Sequence, residues 1–244
     1  MIVLLHGWPG DPEDWREVIP LLDEEPVVPE LLWHPDVSAA TLADRVGGLI
    51  DEPAVVGGYD VGSRVAHTLA RTAPEKVSAL VLAPPLPGAG DRVLTPEAQR
   101  EFWYQAFHQL ELAEQLVDGN RDAVRAYLRH FWTHWSGPGF ELADDHLERL
   151  TDRYAEPGAF TNSIGWYRAG SGMVAQSLAE TPPEQRITAP TRVLWPEHDP
   201  LFPRAWGDRL GEFFEDVALT DLPGAGHFSP LEAPAAWAAS IAAR

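Results

Sequence analysis

The stretch Val55-Val56-Gly57-Gly58-Tyr59-Asp60-Val61-Gly62-Ser63-Arg64 constrains this chain more than any other. It reads as an apolar strand, a sharp turn and then a helix, with glycine two places before and two places after Asp60. That is the spacing of a nucleophile elbow, where a crowded turn lifts one side chain out at the carboxyl end of a strand and admits only small neighbours. The usual occupant of the apex is serine, which attacks a carbonyl. A carboxylate can instead displace a leaving group from saturated carbon and leave an alkyl ester. An ordinary turn aspartate is the competing reading, since Asp favours turns. The residue type at this one position selects between reaction classes.

The segments around the elbow repeat its pattern. Met1–Leu5, Ala54–Gly57, Val77–Ala83, Thr191–Trp195 and Val217–Leu222 read as strands, with a weaker one near Val27–Leu31. Helical spacing covers Trp15–Leu22, Thr41–Ile50, Ser63–Ala73, the region Ala205–Phe214 and Pro234–Ala243. Apolar strands alternating with helices predict an α/β fold, a mostly parallel sheet covered by helices on both faces. The alternation breaks between Pro84 and about Thr181, where the chain reads as helices and loops rich in Trp, Tyr, Phe and His. The predicted organisation is a core of residues 1–83 and 182–244 with a helical cap, 84–181, inserted over the carboxyl ends of the strands.

Composition excludes several alternatives. With 37 acidic against 18 basic residues the net charge is -19, which repels phosphate backbones and argues against nucleic-acid binding. Cysteine is absent, so disulfides, thiolate nucleophiles and Cys-ligated metals are excluded. No apolar run is long enough to span a bilayer, and the first residues lack the basic lead of a signal peptide. A cytoplasmic protein without a membrane partner is the expectation.

Two further polar groups fall at strand ends. Asp199 follows Thr191–Trp195 through Pro196-Glu197-His198, and His227 lies in Pro223-Gly224-Ala225-Gly226-His227-Phe228. Asp199 would hold His227 in the correct tautomer while His227 activates water. Glu197 is a rival for the acid, and Asp199 has a second reading as a helix cap. The turn His6-Gly7-Trp8-Pro9 can aim the backbone N–H of Trp8 at the site, and the N–H of Val61 would be a second oxyanion donor. The two donors would also keep Asp60 ionised. His6 reads as structural, pinning its loop. His130 and His134 have metal-ligand spacing, but Phe131, Trp132 and Trp135 around them read as an aromatic stripe. No Lys-Ser/Thr follows Gly57-Gly58, so a phosphate loop fails.

Four motifs in this order, His6-Gly7-Trp8-Pro9, Gly58-Tyr59-Asp60-Val61-Gly62, Glu197-His198-Asp199-Pro200-Leu201-Phe202-Pro203 and Gly226-His227-Phe228, resemble the α/β-hydrolase superfamily, and within it the epoxide hydrolase and dehalogenase branch. The resemblance spans nearly the whole chain. It implies a cofactor-free hydrolase using a covalent aspartyl ester, with a small apolar epoxide and water as partners. It further implies that Tyr167, in a Trp-Tyr-Arg motif, and Tyr104, in a Tyr-Gln motif, act as cap tyrosines on the epoxide oxygen. The competing reading of both is packing within an aromatic cap. Fluoroacetate-type dehalogenases carry His-Trp where this chain has Tyr104-Gln105, and haloalkane-type enzymes carry Trp where it has Val61. A dehalogenase and a non-catalytic ligand-binding protein on the same fold remain the alternatives. The family's usual N-terminal edge hairpin is missing from the pattern. That leaves an open or differently covered sheet edge and keeps a homodimer open.

Overall fold

The computed structural model describes residues 1–33 and 37–243. Five strands form one parallel sheet in the order β1 (Ile2–Leu5), β2 (Ala54–Gly58), β3 (Val77–Leu82), β4 (Thr191–Pro196) and β5 (Val217–Leu222). Every residue of β1 and β2 is buried, as expected of strands covered on both sides. The two covering layers can be read from neighbouring glycines, because successive side chains point to opposite faces. A Cβ on Gly57 would point toward Trp237 in α12 (Pro234–Ala242), and one on Gly58 toward Gly62 in α2 (Val61–Thr72). The α1 helix (Ala39–Gly47) packs on α2 and is capped by Ser38, whose Oγ accepts the Thr41 N–H at 3.2 Å.

The register aligns the carboxyl ends of the strands. Leu5 pairs with Gly58, Gly58 with Leu82, Leu82 with Val193 and Pro196 with Leu222. The segments that follow, with Trp8, Asp60, Asp199 and His227, therefore leave the sheet along one rim. Between β3 and β4 the chain makes one 3-10 helix (Gly90–Leu94), eight α-helices and no strand: α3 (Pro96–Glu101), α4 (Trp103–Phe107), α5 (Glu111–Val117), α6 (Arg121–His134), α7 (Asp144–Tyr154), α8 (Ala159–Ser163), α9 (Gly165–Arg168) and α10 (Met173–Ala179). They meet the rim at Trp8, whose ring contacts Tyr104, Phe131, Trp135 and Tyr167. A last short helix, α11 (Ser229–Glu232), follows His227.

Three expected elements differ. Trp15–Leu22 is not an α-helix; two 3-10 turns, Pro12–Trp15 and Ile19–Leu21, stand on either side of Arg16–Val18. Pro20 falls inside the expected helix, where it lacks the N–H and its ring collides with the carbonyl four residues back. The strand Val27–Leu31 shrinks to one bridge from Val27 to β1, with Val27 N–H on Ile2 O and Leu4 N–H on Val27 O, both 2.9 Å. Pro26 and Pro29 stop the ladder from extending. Val27 nevertheless covers part of the outer side of β1. Arg204–Glu212 is 3-10 rather than α-helical, with Gly207 and Gly211 weakening α-helix propensity there.

Candidate active site

Asp60 has φ 49° and ψ -120°, and among the described residues it is the one non-glycine with positive φ. Such a conformation costs about 1–3 kcal/mol and survives only where its surroundings impose it. The flanking glycines are part of that imposition. A Cβ on Gly58 would lie 2.6 Å from the carbonyl oxygen of Gly62, and one on Gly62 would run into the carbonyl of Leu5. Strand and helix thus meet too closely for any side chain, and Asp60 is left projecting from the rim, 7% exposed.

The carboxylate has two neighbours of different character. The N–H of Trp8 donates to Asp60 Oδ1 at 2.8 Å. Oδ2 lies 3.5 Å from Nε2 of His227. The N–H of Val61 opens α2, where a helix leaves its first amides without internal partners. His6 lies behind the loop, with its Nε2 accepting the Leu31 N–H at 3.1 Å and lying 3.1 Å from Glu30 Oε1.

His227 is fully buried, and its Nδ1 lies 2.8 Å from Asp199 Oδ2. The other Asp199 oxygen accepts the N–H of Leu201 at 2.9 Å, so one carboxylate holds its own loop and the imidazole together. Glu197 is 57% exposed and accepts the Gly224 N–H at 2.9 Å, so the carboxylate that meets the ring is that of Asp199. Burial by itself would lower the His227 pKa, but Asp199 and Asp60 outweigh it and hold it up to about 10.

Tyr104 and Tyr167 are both buried and reach this centre from the helical insertion. Tyr104 stacks on Trp8 with centroids 5.5 Å apart and a 9° tilt, and Tyr167 meets the same ring edge to face at 5.6 Å. The two phenol rings cross at 90°, 5.5 Å apart. Gln105 Nε2 donates to the Tyr104 hydroxyl at 3.3 Å while its Oε1 accepts the Val174 N–H at 3.1 Å. Burial first, and then neighbouring groups including the Asp60 charge, push both phenols well above the ordinary tyrosine range. They therefore remain hydrogen-bond donors at neutral pH.

Several neighbours escape sequence reasoning. His108, one helical turn after Tyr104, lies 4.7 Å from the Tyr167 ring and 4.9 Å from Trp8. Burial, with Arg168 nearby, lowers its pKa to about 3, so it is neutral. Tyr59 donates to Asp14 Oδ2 at 2.6 Å, bracing the residue before the apex. Glu232 grips the His227 loop. Only the i, i+4 spacing of Tyr104 and His108 was visible in the chain. His130 and His134 stack on each other on the exposed side of α6, with His134 Nε2 2.7 Å from Glu101 Oε2, while Phe131, Trp132 and Trp135 are buried.

The profile of the alpha/beta hydrolase family matches residues 2–240. The chain belongs to this family. This α/β hydrolase is 30% identical to the AB hydrolase superfamily protein YfhM of Bacillus subtilis (strain 168), over 96% of this chain and 86% of that protein. It is 28% identical to the soluble epoxide hydrolase of Corynebacterium sp. (strain C12), over 96% and 85% of the two chains. The solved structure of epoxide hydrolase CorEH without ligand superposes with a TM-score of 0.81 at 25% identity, covering 98% of this chain and 88% of that one. The α/β hydrolase has no helix among its described residues that is long and apolar enough to cross a membrane.

Proposed function

We propose that this α/β hydrolase is an epoxide hydrolase that opens an apolar epoxide through an ester on Asp60. One observation carries the reading: a carboxylate at the strained apex of the elbow lies beside a buried imidazole, and its charge acts on two buried phenols packed against Trp8. The similarity to relatives named as epoxide hydrolases supports it.

The chemistry follows from the two ends of the carboxylate. Oδ1 is held by Trp8 N–H and becomes the ester carbonyl, which leaves Oδ2 to attack a ring carbon. The carbon–oxygen bond of the ring breaks, and its oxygen takes a proton from Tyr104 or Tyr167. Ester formation removes the Asp60 charge, one of the two that hold the proton on His227. His227 then returns its proton to the tyrosinate left by ring opening, and the neutral imidazole becomes a base. It deprotonates a water that attacks the ester carbonyl, with Trp8 and Val61 N–H groups stabilising the oxyanion. Collapse breaks the ester bond; the leaving alkoxide takes the second proton of the attacking water and departs as the vicinal diol, the water oxygen stays in the Asp60 carboxylate, and His227 is again protonated.

Turnover of styrene oxide in oxygen-18 water tests this. The label enters Asp60 after repeated cycles, and the diol from a single turnover carries an enzyme oxygen. Solvent oxygen in the diol of the first turnover rules the ester out. Halide release from haloacetates or haloalkanes without diol formation would move the assignment to a dehalogenase.

A further inference from the structure

A carboxylate outside the reacting set grips both segments that frame the imidazole. Glu232 ends α11, five residues after His227. Its Oε2 accepts the N–H of Gly226 at 2.8 Å and that of Gly137 at 2.7 Å, and its Oε1 accepts the N–H of Phe228 at 3.1 Å. Gly226 and Phe228 are the chain neighbours of His227. The N–H of His227 donates to Trp135 O at 2.8 Å, two residues before Gly137. All three amides from 226 to 228 are therefore fixed, two by Glu232 and one by the segment of the helical insertion that Glu232 also holds.

The two segments pack backbone on backbone. A Cβ on Gly226 would lie 2.5 Å from Ser136 C, and a Cβ on Gly137 would lie 2.9 Å from Glu232 Oε2. The Trp135 ring also touches the imidazole, with centroids 5.1 Å apart. Burial raises the Glu232 pKa, and the three N–H donors oppose that rise.

We propose that Glu232 is a positioning residue for His227, pinning the loop of the base to the helical insertion so that Nδ1 stays on Asp199 and Nε2 on Asp60. It acts through the loop and does not touch the reacting atoms. The kinetic part of its test rests on the ester reading above; the titration part does not.

Glu232→Ala removes the clamp. Glu232→Gln keeps an oxygen for Gly226 and Gly137 and turns an NH2 group toward the Phe228 amide. The first readout is the imidazole titration of His227 by NMR in the free protein. The His227 pKa falls below the parent value of about 10 in Glu232→Ala, with Glu232→Gln between. An unchanged titration in both overturns the proposal. The second readout is a quenched single turnover of styrene oxide, with the ester on Asp60 weighed by mass spectrometry. Ester formation stays within about threefold of the parent, while its hydrolysis slows roughly 10- to 100-fold, so the ester accumulates. Equal losses in both steps overturn the proposal. If the parent forms no ester, the ester reading fails and the titration alone decides the role of Glu232. If Glu232→Ala does not fold, Glu232→Gln carries the test; loss of fold in the isosteric variant as well makes Glu232 structural and overturns it too.

Discussion

Asp60→Asn reproduces the charge state that the ester creates while keeping the shape of the side chain. In the parent, Oδ2 sits 3.5 Å from Nε2 of His227. Two unit charges at that distance, at an effective dielectric of about 20, attract by about 5 kcal/mol. That is roughly three pKa units. Removing the charge should therefore bring the His227 pKa from about 10 down to roughly 7, where the ring is a usable base. The assay is a long-range nitrogen–proton NMR titration of the imidazoles, with the His227 signal identified by its loss in His227→Gln. If His227 in Asp60→Asn still titrates near 10, Asp199 alone holds the proton. Ester formation would then not release a base, and the coupling argued between the two half-reactions would be refuted.

Tyr167→Phe should slow ester formation by about 10²-fold, the scale for losing one donor to a developing oxyanion, and leave ester hydrolysis nearly unchanged; rapid-quench kinetics separates the two steps. Asp14 is buried, and that burial, with Asp11 beside it, raises its pKa to about 7 in the folded chain. Its contribution to stability is present below the unfolded pKa of about 3.9 and is lost as pH rises through about 7. Asp14→Asn should therefore flatten the decline in urea midpoint between about pH 4 and 7, and an unaltered pH dependence would contradict that.

Local sterics made much of the site legible. Gly58 and Gly62 around Asp60 encode the elbow within five residues, because the approach of strand to helix concerns only that stretch. The fully apolar runs of β1 and β2 identify strands buried on both faces without reference to anything else. Prolines explain where periodicity misled: Pro20 ended a helix pattern, and Pro26 and Pro29 reduced a strand to a single bridge. Those signals were present in the chain but were outweighed by the spacing of apolar residues.

Chain order dictates that a carboxylate stands at the elbow, that an acid and a histidine follow at later strand ends, and that aromatic helices interrupt the sheet. Each of these is written in residues adjacent along the backbone. The contact of His227 with Asp199, the His227 pKa of about 10, the stacking of Tyr104 on Trp8 and the grip of Glu232 on two loops come only from the assembled molecule. They depend on burial and on distances between groups far apart in the chain, and those quantities do not exist until the sheet aligns its strand ends and the inserted helices close over them.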